Sequence, residues 1–149
     1  MTTEELIARE RIRDALARYT HAGDRGQLDQ LALCFAADGV LDLEGEPPIV
    51  GREAIRSRLA SVVTSLADAT TRPVLRHHVS SIRIALEGAA VASVASYFVV
   101  FTEIGLDHWG RYGDRFVRED GEWRIACRKV RVDGATPRSR MAAEHRVSP

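Results

Sequence analysis

The chain has 149 residues, 45% hydrophobic and 28% charged, which is one domain's worth with a core of its own. Its 21 Lys and Arg balance its 21 Asp and Glu, which excludes a general nucleic-acid or anionic-membrane binder, since either carries a basic excess. No apolar run is long enough to span a bilayer, no signal-peptide pattern opens the chain, and Cys34 and Cys127 lack metal or disulfide spacing. The expected setting is therefore the cytoplasm, with both thiols free and buried.

Thr2 and Glu5 form a capping-box pattern that starts a helix, and Ile12, Ala15, Leu16 and Tyr19 keep one apolar face on it. Gly23 stops this helix, and Asp24-Arg25-Gly26 makes a corner. Leu28, Leu31, Ala32 and Phe35 predict a short second helix, broken by Asp38-Gly39 before a strand from Val40 to Leu43. A loop spans Gly45 to Pro48. A third helix spans Arg52 to Leu66 with Ile55, Leu59, Val62, Val63 and Leu66 as its buried stripe, and a second loop covers Asp68 to Pro73.

The period then changes from 3.6 to 2. Leu75 to Leu86 reads as a strand, Glu87-Gly88 as a turn, and Val91 to Thr102 as a strand buried on both faces or covered by a partner. Asp107 to Asp133 predicts a hairpin about Glu119-Asp120-Gly121-Glu122, because Asp-Gly supplies the positive φ that a two-residue turn needs. That turn pairs Arg118 with Trp123, Phe116 with Ile125, Asp114 with Cys127 and Tyr112 with Lys129. Phe116, Trp123, Ile125 and Tyr112 then share the core or pocket face, while strict alternation places Arg128 on the other. A β-bulge would turn Arg128 back toward Tyr112. Gly134 to Pro149 is expected to be a loosely held polar tail after a single domain of residues 1–134. Helices followed by an antiparallel sheet make the class α+β: about three helices on a strongly curved mixed or antiparallel sheet, a cone whose mouth can take a small molecule.

YTHAGDRGQLDQLALCFAADGVLD, GREAI, RHHVSSIRI and GRYGDRFVREDGEWRIACRKV, in this order, resemble the SnoaL-like branch of the NTF2-like (cystatin-like) superfamily over roughly Ile7 to Asp133. This branch includes scytalone dehydratase, hexachlorocyclohexane dehydrochlorinase, bile-acid 7α-dehydratase and polyketide cyclases. The resemblance implies a base made of Asp24 and His77, with His78 as the competing histidine. It implies further catalytic roles for Tyr19 and Arg128. Gly110, Tyr112 and Asp114 match the strand at the back of the pocket. Tyr112, Trp109, Phe35, Ile55, Leu59 and Phe98 are the expected substrate-binding residues.

The chemistry is reasonable on its own terms. A neutral imidazole takes a proton at neutral pH, and a carboxylate on its other nitrogen fixes the tautomer and stabilises the imidazolium. Tyr19 could protonate a leaving group, and Arg128 could stabilise an enolate. No metal or organic cofactor is required.

The leading expectation is thus a cofactor-independent lyase of the dehydratase type, or an isomerase, acting on a hydrophobic cyclic small molecule of polyketide, steroid or aromatic type. The alternatives are a non-catalytic binder or accessory protein, and a protein–protein module. A homodimer is expected, with no nucleic-acid and no membrane partner, because the apolar strand ASVASYFVVF needs cover. Plainer readings stand beside these. Asp24 could only cap the second helix, His77 could be a satisfied strand histidine, and Asp107-His108 reads as a solvated loop. Adjacent strand residues point to opposite faces, so His77 and His78 are not expected to chelate a metal together.

Overall fold

The computed structural model describes residues 1–66 and 74–141. The capping box is formed: the Thr2 hydroxyl accepts from the Glu5 amide at 3.1 Å, and the Glu5 carboxylate accepts from the Thr2 amide at 2.8 Å. It opens helix α1 (Thr3–Asp24), which buries Ile12, Ala15, Leu16 and Ala22. Helix α2 (Leu28–Leu33) is shorter than its apolar spacing suggested. Phe35 belongs instead to strand β1 (Phe35–Leu43), which runs straight through Asp38-Gly39. Gly39 permits this, since a Cβ there would stand 2.9 Å from that of Phe35 and 3.0 Å from two carbonyl oxygens.

A two-residue strand, β2 (Ile49–Val50), precedes helix α3 (Arg52–Leu66), which has the bounds expected of it. The loop expected over Asp68 to Pro73 lies outside the described residues. Four long strands follow: β3 (Arg76–Leu86), β4 (Val91–Thr102), β5 (Gly105–Glu119) and β6 (Glu122–Ala135). The sheet order is β2-β1-β6-β5-β4-β3, with β1 parallel to β6 and every other pair antiparallel. Three helices and then a curved, unclosed six-stranded mixed sheet make up the architecture, with α1 packed on β6 and β3 and α3 on β1. Among the described residues no helix is long and apolar enough to cross a membrane.

Bulges decide what faces the helices. In β6 the register slips by one residue, so that Arg115 pairs with Cys127 but Phe116 with Ile125. The extra residue, Ala126, restores the inward direction beyond it and sets Arg128 opposite Asp114 and Val130 opposite Tyr112. The expected pairs Arg118–Trp123 and Phe116–Ile125 form, while Asp114–Cys127 and Tyr112–Lys129 are displaced by this bulge. A second slip falls between Ser80 and Arg83 in β3, where Ser81 takes φ 52°. It switches the half-buried residues from His77 and Val79 to Ile82 and Leu86, which flank buried Ile84.

Strand β4 alternates rather than being buried on both faces: Val94, Phe98 and Val100 are inside, while Tyr97 and Phe101 are exposed. The helices and the first sheet rows enclose the main core of Ile12, Leu16, Phe35, Ile55, Phe116, Trp123 and Ile125. A second apolar cluster of Phe98, Val100 and Tyr112, joined by Leu75 and Val79, lies toward the open end.

The second cluster sits on one close approach. A Cβ at Gly110 would stand 2.1 Å from the Arg131 carbonyl oxygen and 2.8 Å from the Phe98 ring. Gly110→Ala must therefore push β6 aside or lift Phe98 off Tyr112. The expected loss is about 1–3 kcal/mol in urea denaturation, and an unchanged midpoint would show that this approach is not constrained.

Candidate active site

Asp24 is the last residue of α1, and it does not cap α2. That role falls to Gln27, which makes no side-chain cap bond. The Asp24 carboxylate reaches across to β3. Its oxygens accept from the His77 amide at 3.1 and 3.2 Å, and Oδ1 lies 2.6 Å from His77 Nδ1. A carboxylate only accepts, so Nδ1 carries the proton and Nε2 is left as the basic nitrogen. His77 and Asp24 are 18% and 11% exposed at their side chains, so the pair is shielded but reachable. His78 points to the other face, against Phe101, with ring centroids 5.3 Å apart.

Arg128 points inward, as the bulge requires, and is 1% exposed. Its Nε and Nη2 donate to the two carboxylate oxygens of Asp114 at 2.9 and 2.7 Å. Its guanidinium carbon lies 4.1 Å from the ring centroids of both Tyr19 and Tyr112. Burial opposes its charge, but Asp114 more than compensates and holds its pKa above the usual range. The cation is therefore already engaged by one anion and two ring faces.

Burial raises the pKa of both tyrosines. Arg128 partly offsets this at Tyr19, while the neighbouring phenol of Tyr19 and the charge of Asp24 add to it at Tyr112. Both remain neutral phenols at physiological pH, each with an O–H that can donate. Tyr112 also stacks on Phe98 at 4.6 Å, and Tyr19 meets Phe35 edge-on at 6.0 Å.

A cavity of about 260 Å³ opens beside the dyad, walled by Gly23, Asp24, Val63, Leu66 and Leu75. A larger depression of about 600 Å³ lies on the far face of the sheet, among Arg83, Ala85, Ala95, Gly113 and Lys129. Asp114 and Cys127 also line it, and a hollow of about 570 Å³ holds His21 and Cys34. The smallest of the three is the one that borders Asp24 of the dyad.

None of the six expected lining residues walls this cavity, and Tyr112 and Phe98 stack on each other in the second apolar cluster. Phe35 and Ile55 are 0% exposed in the main core, and Leu59 packs against it. Trp109 is on the outer face, 38% exposed, with its ring over Gly134, where a Cβ would stand 2.3 Å from it. Leu75, not among the expected site residues, walls the cavity, and Asp114, expected on the back strand, is taken up by Arg128. Asp107 and His108 are not a solvated loop: both are buried on β5. Among the described residues no three His, Cys, Asp or Glu converge as metal ligands. Both thiols are free and half-buried, and burial raises the pKa of each.

An open curved sheet with helices over one face is the NTF2-like, cystatin-like fold. Within it the chain belongs to the SnoaL-like domain family, whose pattern matches residues 4–129. Among similar solved structures is a single-substitution variant of Rv3472, a protein of unknown function from Mycobacterium tuberculosis. It is 28% identical with TM-score 0.77, over 97% of this chain and 79% of that one. A Catenulispora acidiphila protein in complex with S-DNPA is 26% identical with TM-score 0.75, over 86% and 95% of the two chains. A provisionally named scytalone dehydratase from Novosphingobium aromaticivorans shares the fold at 24% identity and TM-score 0.80, over 91% of each chain. Among curated proteins no sequence matches this chain.

Proposed function

We propose that this protein is a cofactor-independent lyase of the dehydratase type, or an isomerase, acting on a hydrophobic cyclic small molecule. The observation that carries this reading is the 2.6 Å contact between His77 and Asp24, a residue that forms part of the wall of a cavity. His77 Nε2 takes a proton from a carbon next to a carbonyl, and Asp24 stabilises the imidazolium. The C–H electron pair becomes the new C=C bond, the C–O bond to a β-hydroxyl breaks, and the imidazolium returns its proton to the departing hydroxide as water. A neutral phenol, Tyr19 or Tyr112, donates to the carbonyl oxygen as charge builds there. A cavity of about 260 Å³ is at the small end for ligand sites, which favours a compact ring system over a steroid. The bound S-DNPA of the Catenulispora relative supports small-molecule binding in such a fold.

The test is a panel of β-hydroxy ketones on one- and two-ring skeletons, followed by ultraviolet absorbance for the conjugated enone. Turnover by the wild type that is lost in His77→Asn supports the reading. Binding without turnover, equal in both, would replace it with the second reading, a non-catalytic binder. That reading is favoured by the engagement of Arg128, which leaves neutral donors to polarise a substrate.

The protein is also proposed to be a homodimer through the outer sheet face, where Tyr97, Phe101 and Trp109 are 59%, 40% and 38% exposed. Sedimentation should show a dimer that Tyr97→Asp converts to monomer. A monomeric wild type would end this proposal.

A further inference from the structure

The second His–Asp pair is built into a junction rather than into the dyad's site. Asp107 is 0% exposed, and its carboxylate collects donors from three directions. Oδ1 accepts from the Ser139 hydroxyl at 2.5 Å and faces His108 Nδ1 at 2.8 Å. Oδ2 accepts from the Arg140 amide at 2.9 Å and the Thr102 hydroxyl at 3.3 Å. The Asp107 carbonyl accepts from the Thr136 amide at 2.8 Å, and the Leu106 carbonyl from the Thr136 hydroxyl at 3.3 Å.

The chain beyond β6 is therefore folded back and fastened as far as Arg140, against the expectation of a loose tail. Arg140 carries the connection further. Its guanidinium pairs with Glu103 in the β4–β5 turn and donates to the Leu66 carbonyl at 2.9 Å. Leu66 ends α3 and walls the cavity beside Asp24.

We propose that Thr136–Met141 is a strap that holds the last turn of α3 in place as a wall of the cavity mouth. Asp107 is its buckle, and so a positioning residue for ligand entry and release. The ligand part of this inference rests on the function proposed above, while the mechanical part does not. Burial pushes the Asp107 pKa up, but hydrogen bonds from Ser139, the Arg140 amide and His108 outweigh it, and the net shift is downward. A carboxyl depressed in the folded state stabilises above the ordinary carboxylate range and loses that contribution as pH falls through its folded value. With Glu103, Arg140 and His108 as the charged or titratable groups around it among the described residues, the buckle stays fastened at neutral pH and loosens only in acid, below the ordinary carboxylate range.

The test uses the full chain carrying Ser139→Ala or, more severely, Asp107→Asn. Amide hydrogen exchange reads the mechanical part. Residues 63–66 should exchange about tenfold faster or more in Asp107→Asn, and less so in Ser139→Ala, while the β5–β6 hairpin stays protected. Stopped-flow binding of 1-naphthol reads the ligand part, and association and dissociation should both accelerate in the variants. Exchange that changes only within residues 136–141, or evenly over the whole chain, overturns the strap. A strap effect in exchange with unaltered naphthol rates overturns its role at the mouth. Failure of the wild type to bind naphthol, with the exchange effect present, counts against the ligand part and leaves the mechanical part standing.

Discussion

Replacing Arg128 with methionine is expected to cost about 3–5 kcal/mol in urea denaturation, because it strands the Asp114 carboxylate as a buried, uncompensated charge. The Asp114 side chain is 0% exposed, so water cannot take over the two hydrogen bonds it accepts from the guanidinium. The Tyr19 and Tyr112 rings also lose the cation between them. Lysine is not a repair, since it keeps the charge but has neither the bidentate fork nor the flat face that stacks between two rings. A double variant, Arg128→Met with Asp114→Leu, should recover much of the loss by removing the stranded anion. A loss below about 1 kcal/mol in the single variant would mean that the pair is hydrated and that the sandwich does not fix the phenols.

The second large effect concerns the dyad, under the proposed function. Asp24→Asn is expected to lower kcat by about 10²–10⁴ with little change in KM. The carboxamide still accepts one hydrogen bond from the His77 amide. Its NH₂ group, however, now donates to Nδ1 and forces the imidazole proton onto Nε2, where the base is needed. His77→Asn should lose at least as much, because the base itself is gone. Circular dichroism should show both variants folded, since neither residue belongs to the main core. Wild-type turnover by Asp24→Asn on any ketone that the enzyme converts would show that the pair does not carry the proton.

The parts of this structure that local chemistry determines were legible in the chain. The Thr2–Glu5 cap, the α3 bounds and the Asp120-Gly121 turn each rest on a few adjacent residues. The need for a bulge to bring Arg128 inward was legible too, because Trp123 and Ile125 alternate in one parity and Val130 and Val132 in the other. What was missed is its consequence: one extra residue moves Arg128 from the row beside Asp114 to the position opposite it, and a candidate enolate partner becomes half of a buried ion pair. The same parity change in β3, from Leu75, His77 and Val79 to Ile82, Ile84 and Leu86, is a signal that could have located the Ser81 bulge.

Other features had no local signature. Trp109 faces outward because Gly134, on the neighbouring strand, leaves room for its ring. Asp107 is buried because Ser139 and Arg140 come back to it from 32 and 33 residues away. Phe35 and Ile55 have the character of pocket residues, but the depth of the core under the helices decides that no ligand reaches them.

The measurement that bears most directly on the Asp24–His77 dyad as a proton-transferring base is solvent deuterium incorporation, followed by proton NMR in deuterated buffer. A slowly exchanging ring ketone such as 1-tetralone is the probe, and no leaving group need be known. The wild type should accelerate exchange at the carbon next to the carbonyl, and His77→Asn and Asp24→Asn should fall back toward the buffer rate. A wild type that binds the ketone, by shifts in the Tyr112 and His77 resonances, yet exchanges it no faster than buffer would contradict the dyad's role as a base and leave the cavity as a binding site.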